Sequence, residues 1–394
     1  MNNPIMNNLC TDTGYISINK HREQLCGDRV EFAQCDDNTT ICVLADGLGS
    51  GVKANILSTL TSKIISTMIA GGMPIEDCVD TIAATLPICQ VRQIAYSTFS
   101  IIKVTDNKQV QLIQFDNPMI VVLRNGENYD YPYTTRTVSG KTIHESQFDV
   151  QENDIFIAMS DGVVYAGVGR EFNYGWEREN VINFAEANYL PSNTAKSIAG
   201  MLVDECNSLY AGEPGDDTTV AVVKIRKRHP VNLVIGPPST PDQDMKMMNL
   251  FFGKEGEKIV CGGTTSKIVS RYLGKELRPS LDYLDPEVPP ISELDGVDLV
   301  TEGVITISKV LTLANNYLDG SDTTSWTFKK DGASLIAQEL IEKATDINFF
   351  VGKAINPAHQ NPDLPITFGI KIQLIENLAK ALEKMGKQIK VSYF

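Results

Sequence analysis

The most constraining stretch of the chain is Val43-Leu44-Ala45-Asp46-Gly47-Leu48-Gly49-Ser50-Gly51, where an apolar run stops at a carboxylate and glycines follow. Ile41 to Ala45 is short, apolar and rich in β-formers, and helical spacing takes over from Val52, so the stretch reads as a strand that delivers an acid to a tight turn. Gly47, Gly49 and Gly51 admit positive φ and close approach of backbone to a ligand. An Asp-Gly pair is by itself a common turn dipeptide, but here the arrangement recurs. Ile155-Phe156-Ile157-Ala158-Met159-Ser160 ends at Asp161-Gly162, and Gly215-Asp216-Asp217-Thr218-Thr219 runs into the apolar stretch from Val220 to Ile225. A further acid, Asp28, stands ahead of the strand-like Val30-Glu31-Phe32. The turns lack a His and Cys donor set of the zinc type, and oxygen-rich sites favour magnesium, manganese or calcium. If the turns converge, two divalent ions sharing Asp46 and held roughly 3.5–4 Å apart would lower the pKa of a bridging water and stabilise in-line displacement at phosphorus. That chemistry is phosphoester hydrolysis.

With 394 residues the chain exceeds what one hydrophobic core usually supports, so two domains are expected. A formal net charge of -14 argues against a nucleic-acid binder, which would need clustered Lys and Arg. The one dense basic run, Lys224 to Arg228, falls where a linker is expected. The eight cysteines include no C-x-x-C pair, which suits neither a thiolate metal site nor a disulfide scaffold and points to a reducing compartment. No basic-then-apolar leader opens the sequence and no apolar run reaches the roughly 18 residues of a membrane helix, so the expectation is a cytoplasmic protein without membrane contact.

Read in order, residues 13–20 and the segment after Asp28 are strand-like, and Ala54 to Ala70 is an amphipathic helix with Ile56, Leu57, Leu60, Ile64, Ile65, Met68 and Ile69 as its apolar face. A second helix opens at Pro74 and stops near Pro87. Ala95 to Val104, Gln109 to Phe115 and Met119 to Leu123 read as an antiparallel meander, and 177–188 and 192–210 as helices, with Ser192 as an N-cap. From Val231 the rhythm changes to alternating short strands and helices, which implies a parallel, doubly wound sheet. The boundary falls at about 226–231, beside His229-Pro230, and Pro279 to Pro290 reads as an excursion within the second domain.

Ala45-Asp46-Gly47-Leu48-Gly49-Ser50-Gly51 with Ala54, Ser160-Asp161-Gly162-Val163 and Gly215-Asp216-Asp217-Thr218-Thr219-Val220 occur in the order seen in the metal-dependent protein phosphatase 2C family. They resemble its bacterial SpoIIE-like branch most, over about residues 10–226. The resemblance implies an α+β chain whose residues 1–228 form an α-β-β-α sandwich, with two Mn2+ or Mg2+ ions and activity on phosphoserine and phosphothreonine in protein substrates. Carried over by position, Asp46 would bridge the metals, the Gly47 carbonyl would bind one, and Asp161 and Asp216 would hold the other. Asp28 would bind through water, Asp217 would act behind the ligands or at a further metal, and the nucleophile would be water rather than a side chain. Two departures stand out. Leu48 replaces the His of eukaryotic members, and Glu23 sits where their phosphate-gripping Arg would be, leaving Lys20, Arg22 and Arg29 as candidates that read more simply as solvated surface residues.

Residues 231–394 lie outside the resemblance and read as a separate α/β doubly wound, Rossmann-like domain for regulation or recognition. In a parallel sheet, Gly236-Pro237-Pro238, Gly262-Gly263-Thr264-Thr265-Ser266, Glu302-Gly303 and Asn356-Pro357-Ala358-His359 would all follow strand C-termini, the ligand edge of such folds. Gly262 to Ser266 opens a helix whose N–H groups suit an anion, though no Walker or G-x-G-x-x-G sequence is present. A small-molecule or protein effector, or self-association as a homodimer, is left open for this domain. Cys26 and Cys261 stand beside the two candidate sites, with buried inert thiols as the simpler reading. The rival functions are a catalytically silent binding protein on the same fold and a small-molecule phosphoesterase.

Overall fold

The computed structural model describes residues 8–36, 38–85, 97–279, 290–320, 325–354 and 367–394. The chain divides into two compact units, Met1–Lys227 and Arg228–Phe394. Asn356 to His359, Cys89, the end of the helix near Pro87 and most of the Pro279 to Pro290 segment lie outside the described residues.

The first unit runs β1 (Leu9–Ile18), β2 (Asp28–Asp36), β3 (Thr39–Asp46), α1 (Gly51–Ala70), α2 (Ile75–Thr85), β4 (Thr98–Thr105), β5 (Gln109–Phe115), β6 (Val121–Arg124), β7 (Glu127–Asn128), β8 (Thr134–Val138), β9 (Lys141–Asp149), β10 (Ile155–Met159), α3 (Asp161–Val164), α4 (Glu177–Ala187), α5 (Ala195–Leu209) and β11 (Thr218–Lys227). Two antiparallel sheets result, in the orders β1-β11-β10-β6-β7 and β2-β3-β4-β5-β9-β8. The apolar runs of β3 and β10 have no polar face because both strands are covered on both sides. On β3, Cys42 and Leu44 face the core between the sheets, while Ile41 and Val43 pack with Ile65 and Ile69 of α1 and Cys78, Val79 and Ile82 of α2. On β10, Phe156 and Ala158 enter the same inter-sheet core, and Ile155, Ile157 and Met159 pack under α3, α4 and α5. The layers are therefore helix, sheet, sheet, helix.

Three local expectations are corrected. The buried face of α1 keeps only part of its large apolar stripe: Ile65 and Ile69 are buried and Leu57, Ile64 and Met68 pack beside them, but Ile56 and Leu60 are 51% and 43% exposed, whereas Ala54, Ser58, Thr61, Ser62 and Ser66 are buried. Small residues let the helix lie close to β2 and β3, and Ser58, Ser62 and Ser66 satisfy their hydroxyls on carbonyls of the preceding turn. The meander breaks after β5, because β6 crosses to pair with β10 in the other sheet. There the side chain of Gln114, near the end of β5, accepts from Ile120 N through Oε1 at 2.6 Å. The cap of α5 is Thr194 rather than Ser192, its Oγ1 accepting from Ser197 N at 3.1 Å.

The second unit comprises β12 (Pro230–Ile235), α6 (Asp244–Phe252), β13 (Glu257–Cys261), α7 (Gly263–Leu273), β14 (Arg278–Pro279), β15 (Ser292–Glu293), β16 (Leu299–Thr301), α8 (Val304–Asp319), α9 (Gly332–Ala337), β17 (Asp346–Val351), α10 (Thr367–Lys384) and β18 (Gln388–Tyr393). Its sheet order is β14-β15-β16-β13-β12-β17-β18, with β16, β13, β12, β17 and β18 parallel and the short β14 and β15 antiparallel. Helices α8, α9 and α10 bury one face around Trp326 and Phe349, and α6 and α7 bury the other around Phe251 and Phe350. The helical stretch from Ala333 to Ala344 is two pieces, because after α9 the residues Gln338–Lys343 widen into a π-helical turn. No helix among the described residues is long and apolar enough to cross a membrane.

Candidate metal centre

The carboxylates of the first unit arise where strands end. β2 and β3 pair so that Asp28 stands opposite Asp46, the first residue of one strand against the last of the other. β10 and β11 pair as far as Met159 opposite Val220. The ladder is prolonged by Ser160 N donating to Thr219 O at 3.0 Å and Thr219 N donating to Ser160 Oγ at 2.9 Å, so Asp161 and the Asp216-Asp217 turn emerge side by side. The two sheets bring these pairs to one place. A Cβ on Gly27 would stand 2.8 Å from Asp217 Oδ2, and Lys20 N donates to Asp217 Oδ1 at 3.0 Å. Gly47 donates its N–H to Gly27 O at 3.1 Å. Positive φ occurs at Gly49 and Gly51 but not at Gly47. Gly47 is needed for a different reason, since a Cβ there would sit 2.1 Å from Ala54 O at the start of α1.

Electrostatics reports how closely the acids are gathered. Asp28 is 4% exposed, and neither of its oxygens has a hydrogen-bond partner. Burial raises its pKa; the nearby Ser160 and Thr219 hydroxyls lower it, and the charges of Asp217 and Asp161 raise it again. Ser160 Oγ accepts from Thr219 N, Thr219 Oγ1 lies 2.8 Å from Ser17 Oγ, and the two hydroxyls offset only part of the rise that burial causes. Asp46 is raised by burial and then by Asp28, Asp161 and Asp216. Asp161 is raised by burial and Asp216, with partial relief from the Gly162 N–H and Lys20. Asp217 is 4% exposed, and its Oδ2 has no partner.

A fold that crowds five carboxylates against one lysine and leaves three buried oxygens unpartnered is built for cationic charge from outside the chain. The donor set is all oxygen, which fits a hard divalent cation. Asp28, Asp46, Asp161, Asp216 and Asp217 are thus brought together, with Gly47 at the turn beside Asp46.

Lys20 is the residue that sequence reading undervalued. Its Nζ lies 3.6 Å from Asp216 Oδ1, and its charge acts on Asp161. Only the fold shows this, because a lysine eight residues before Asp28 has no distinguishing local pattern. Arg29 instead pairs with Glu31 at 3.2 Å, and Glu23 accepts from Ser50 Oγ at 3.3 Å. Leu48 is 37% exposed beside the turn. Burial, with Asp28 second, pushes the Cys26 thiol up to about 12, and burial alone accounts for the rise of the Cys261 thiol to about 12; both are un-ionised at neutral pH.

The second candidate loop is separate from this cluster in sequence and lies in the second unit. Gly262 follows β13 with φ 105° and donates to Thr301 O at 2.8 Å, and Gly263 opens α7 with Thr264 behind it. Ser266 N and Oγ both donate to Gly262 O at 2.9 Å, so that hydroxyl is used internally. Thr265 Oγ1 is buried without a partner. Gly236 and Glu302 likewise follow the C-termini of parallel strands, β12 and β16.

Comparison with known proteins addresses mainly the first unit. Residues 36–226 match the family model of stage II sporulation protein E (SpoIIE), a range that includes Asp46, Asp161, Asp216 and Asp217 and starts after Asp28. Stage II sporulation protein E of Bacillus subtilis (strain 168) is 24% identical over 227 residues, covering 55% of this chain and 26% of that protein. The chain thus spans 26% of the length of the curated relative it matches. Among solved structures, the PP2C phosphatase domain with a fragment of the regulatory domain of SpoIIE from Bacillus subtilis is 19% identical, covers 56% of this chain and 63% of that chain, and has a TM-score of 0.48. RsbX in complex with magnesium is 20% identical over 55% of this chain and 95% of its own, with a TM-score of 0.40. The catalytic domain of the serine/threonine phosphatase PstP with 2 manganese ions is 17% identical over 56% of this chain and 100% of its own, with a TM-score of 0.39. The family model ends at residue 226 and leaves the second unit unassigned.

Proposed function

We propose that the first unit is a metal-dependent phosphatase acting on phosphoserine and phosphothreonine in protein substrates, with two Mn2+ or Mg2+ ions at the aspartate cluster. The observation that carries this reading is the convergence of Asp28, Asp46, Asp161, Asp216 and Asp217 with buried, unpartnered oxygens. The match of residues 36–226 to the SpoIIE family supports the same reaction class. Asp46, Asp161 and Asp216, with the Gly47 carbonyl, are assigned as direct ligands, Asp28 as a ligand through water and Asp217 as the group behind them. When bound, the ions supply a water of lowered pKa and neutralise charge at the transferred phosphoryl group.

The chain's own residues do the rest. The paired strand ends fix the carboxylates before substrate arrives, so no reorganisation is needed at the moment of reaction. Lys20, 38% exposed at the rim, attracts the phosphate dianion and steadies Asp216. Leu48 carries no proton, so the leaving serine or threonine oxygen takes its proton from solvent at the cluster rather than from that side chain.

The test is manganese-dependent turnover of phosphoserine and phosphothreonine peptides, and of a panel of small phosphometabolites, by wild type, Asp46→Asn and Asp161→Asn. The expected result is peptide turnover that falls by at least ~100-fold in both variants, the order lost when one preorganised electrostatic group is removed. Preference for phosphometabolites would instead make the protein a small-molecule phosphoesterase. Metal binding without turnover of any substrate would favour a silent binding protein.

For the second unit we infer regulation or partner recognition through the Gly262 to Ser266 loop. The supporting observation is the buried, unpartnered Thr265 hydroxyl at a helix start beside the C-termini of parallel strands. Thr265→Val in the full chain is expected to alter the response of turnover to an effector while leaving effector-free turnover unchanged.

A further inference from the structure

The edge of the second sheet opposite that loop holds a different set of donors. His229 immediately precedes β12, Glu257 is the first residue of the neighbouring β13, and Glu339 lies in the π-helical turn Gln338–Lys343. One ligand atom from each of the three lies within 4.8 Å of the other two, the one such His, Cys, Asp or Glu set among the described residues. His229 Nε2 is 3.3 Å from Glu257 Oε1 and 3.6 Å from Glu339 Oε2. Despite that closeness, His229 Nε2 and Glu339 Oε2 are both buried atoms with no hydrogen-bond partner. We propose that His229, Glu257 and Glu339 form a binding site for one divalent transition-metal ion of the zinc class, distinct from the aspartate cluster of the first unit.

The surroundings hold each donor in place without using the atoms that would bind. His229 N donates to Thr345 Oγ1 at 2.7 Å, and Thr345 N returns a bond to His229 O at 3.0 Å, which fixes the imidazole's backbone at the strand edge. Asn232 Nδ2 donates to Glu255 O at 2.8 Å and to Glu257 O at 3.3 Å, pinning the chain that presents the second ligand. Ala344 N closes the π turn on Glu339 O at 2.7 Å. A π turn places its side chains out of step with a regular helix and recurs at functional positions; here it turns Glu339 toward the strand edge. Lys343 pairs with Glu339 through Oε1 and leaves Oε2 facing the imidazole.

The donor chemistry selects the ion. Imidazole nitrogen with two carboxylates suits zinc and its first-row neighbours better than magnesium or calcium, which prefer oxygen alone. Three protein ligands leave a fourth position for water, and the side chains of His229 and Glu257 are 35% and 32% exposed, so the site is open on one side. Lys343 answers Glu339 alone, and a divalent ion would relieve the repulsion that remains between the two carboxylates.

The test uses the full chain carrying Asp46→Asn and Asp161→Asn, which disables the aspartate cluster. After chelation it is titrated with Zn2+ by calorimetry and with Co2+ by absorption spectroscopy. The expected result is one equivalent of Zn2+ and Co2+ bands without thiolate charge transfer, which excludes the eight cysteines as donors. Adding Glu257→Gln or Glu339→Gln is expected to weaken Zn2+ binding by at least ~10-fold, the lower end of what loss of even an outer partner costs, without lowering the metal-free melting temperature. Should one glutamine variant fail to fold, the other carries the test. Unchanged Zn2+ affinity in these variants, or thiolate bands with Co2+, would overturn the proposal.

Discussion

The acidic cluster of the first unit and the His229 group of the second are both assembled at strand ends, yet they differ in composition and in closure. Five aspartates meet one partly exposed lysine in the first, whereas one donor atom from each of three residues falls within 4.8 Å in the second. One imidazole and two glutamates make up the second, with a lysine neutralising one carboxylate from behind. An all-oxygen donor set suits hard divalent cations. A small set with a nitrogen donor suits a single softer ion. Charge excess and donor type, more than the number of carboxylates, set the two clusters apart.

The sharpest way to break this comparison is metal exchange. Asp46→Asn or Asp161→Asn should abolish at least ~100-fold of manganese-dependent turnover, while Zn2+ affinity at the His229 group stays within ~2-fold of wild type in a calorimetric titration. Loss of both together would mean that the two clusters are not independent.

A smaller effect concerns pH. Asp28, Asp46 and Asp161 have folded pKa values raised above those of the unfolded chain, mainly by burial and mutual repulsion. The folded state therefore binds more protons than the unfolded state, and the metal-free protein loses stability as pH climbs from the ordinary carboxylate value of ~4 through the raised values. Melting curves of metal-free protein between about pH 5 and 8 should show the melting temperature falling, with Asp46→Asn flattening the trend and saturating Mn2+ raising the whole curve. A melting temperature that rises with pH in metal-free wild type would contradict the picture of an uncompensated cluster.

Weaker still, Gly262→Ala should lower stability by ~1–2 kcal/mol, since φ 105° strains any side chain there and the added Cβ would meet Thr265 Oγ1 at 3.4 Å. Chemical denaturation measures it. The smallest effect is Lys20→Met. An exposed pair contributes ~0.2–1 kcal/mol, so peptide turnover should fall only ~2–5-fold, with the loss shrinking at high salt. A salt-independent loss would instead place Lys20 within the buried part of the site.

The aspartates were legible from sequence because each lies at, or within two residues of, the end of a strand. Both faces of β3 and β10 are buried, so those runs show no polar interruption until the acid, and chain order supplies the pattern. The parallel second sheet was legible for the same reason, through short apolar strands spaced by helices. In helix α1 periodicity finds Ile65 and Ile69 but also counts the exposed Ile56 and Leu60, since near its start the surface it meets rewards closeness over area and selects Ala54, Ser58 and Ser62. β6 was assigned to the wrong sheet because a strand pattern names no partner.

Local sequence thus determined which segments are strands, which are helices and which acids sit at their ends, because backbone sterics and burial periodicity act over neighbouring residues. Tertiary structure alone decided which ends meet. Lys20 reaches Asp216, and His229 faces Glu257 and Glu339, only because sheet pairing and helix packing carry distant residues to the same edge. Those contacts leave no periodic trace, since each depends on the direction of a single side chain across a gap that the rest of the fold sets.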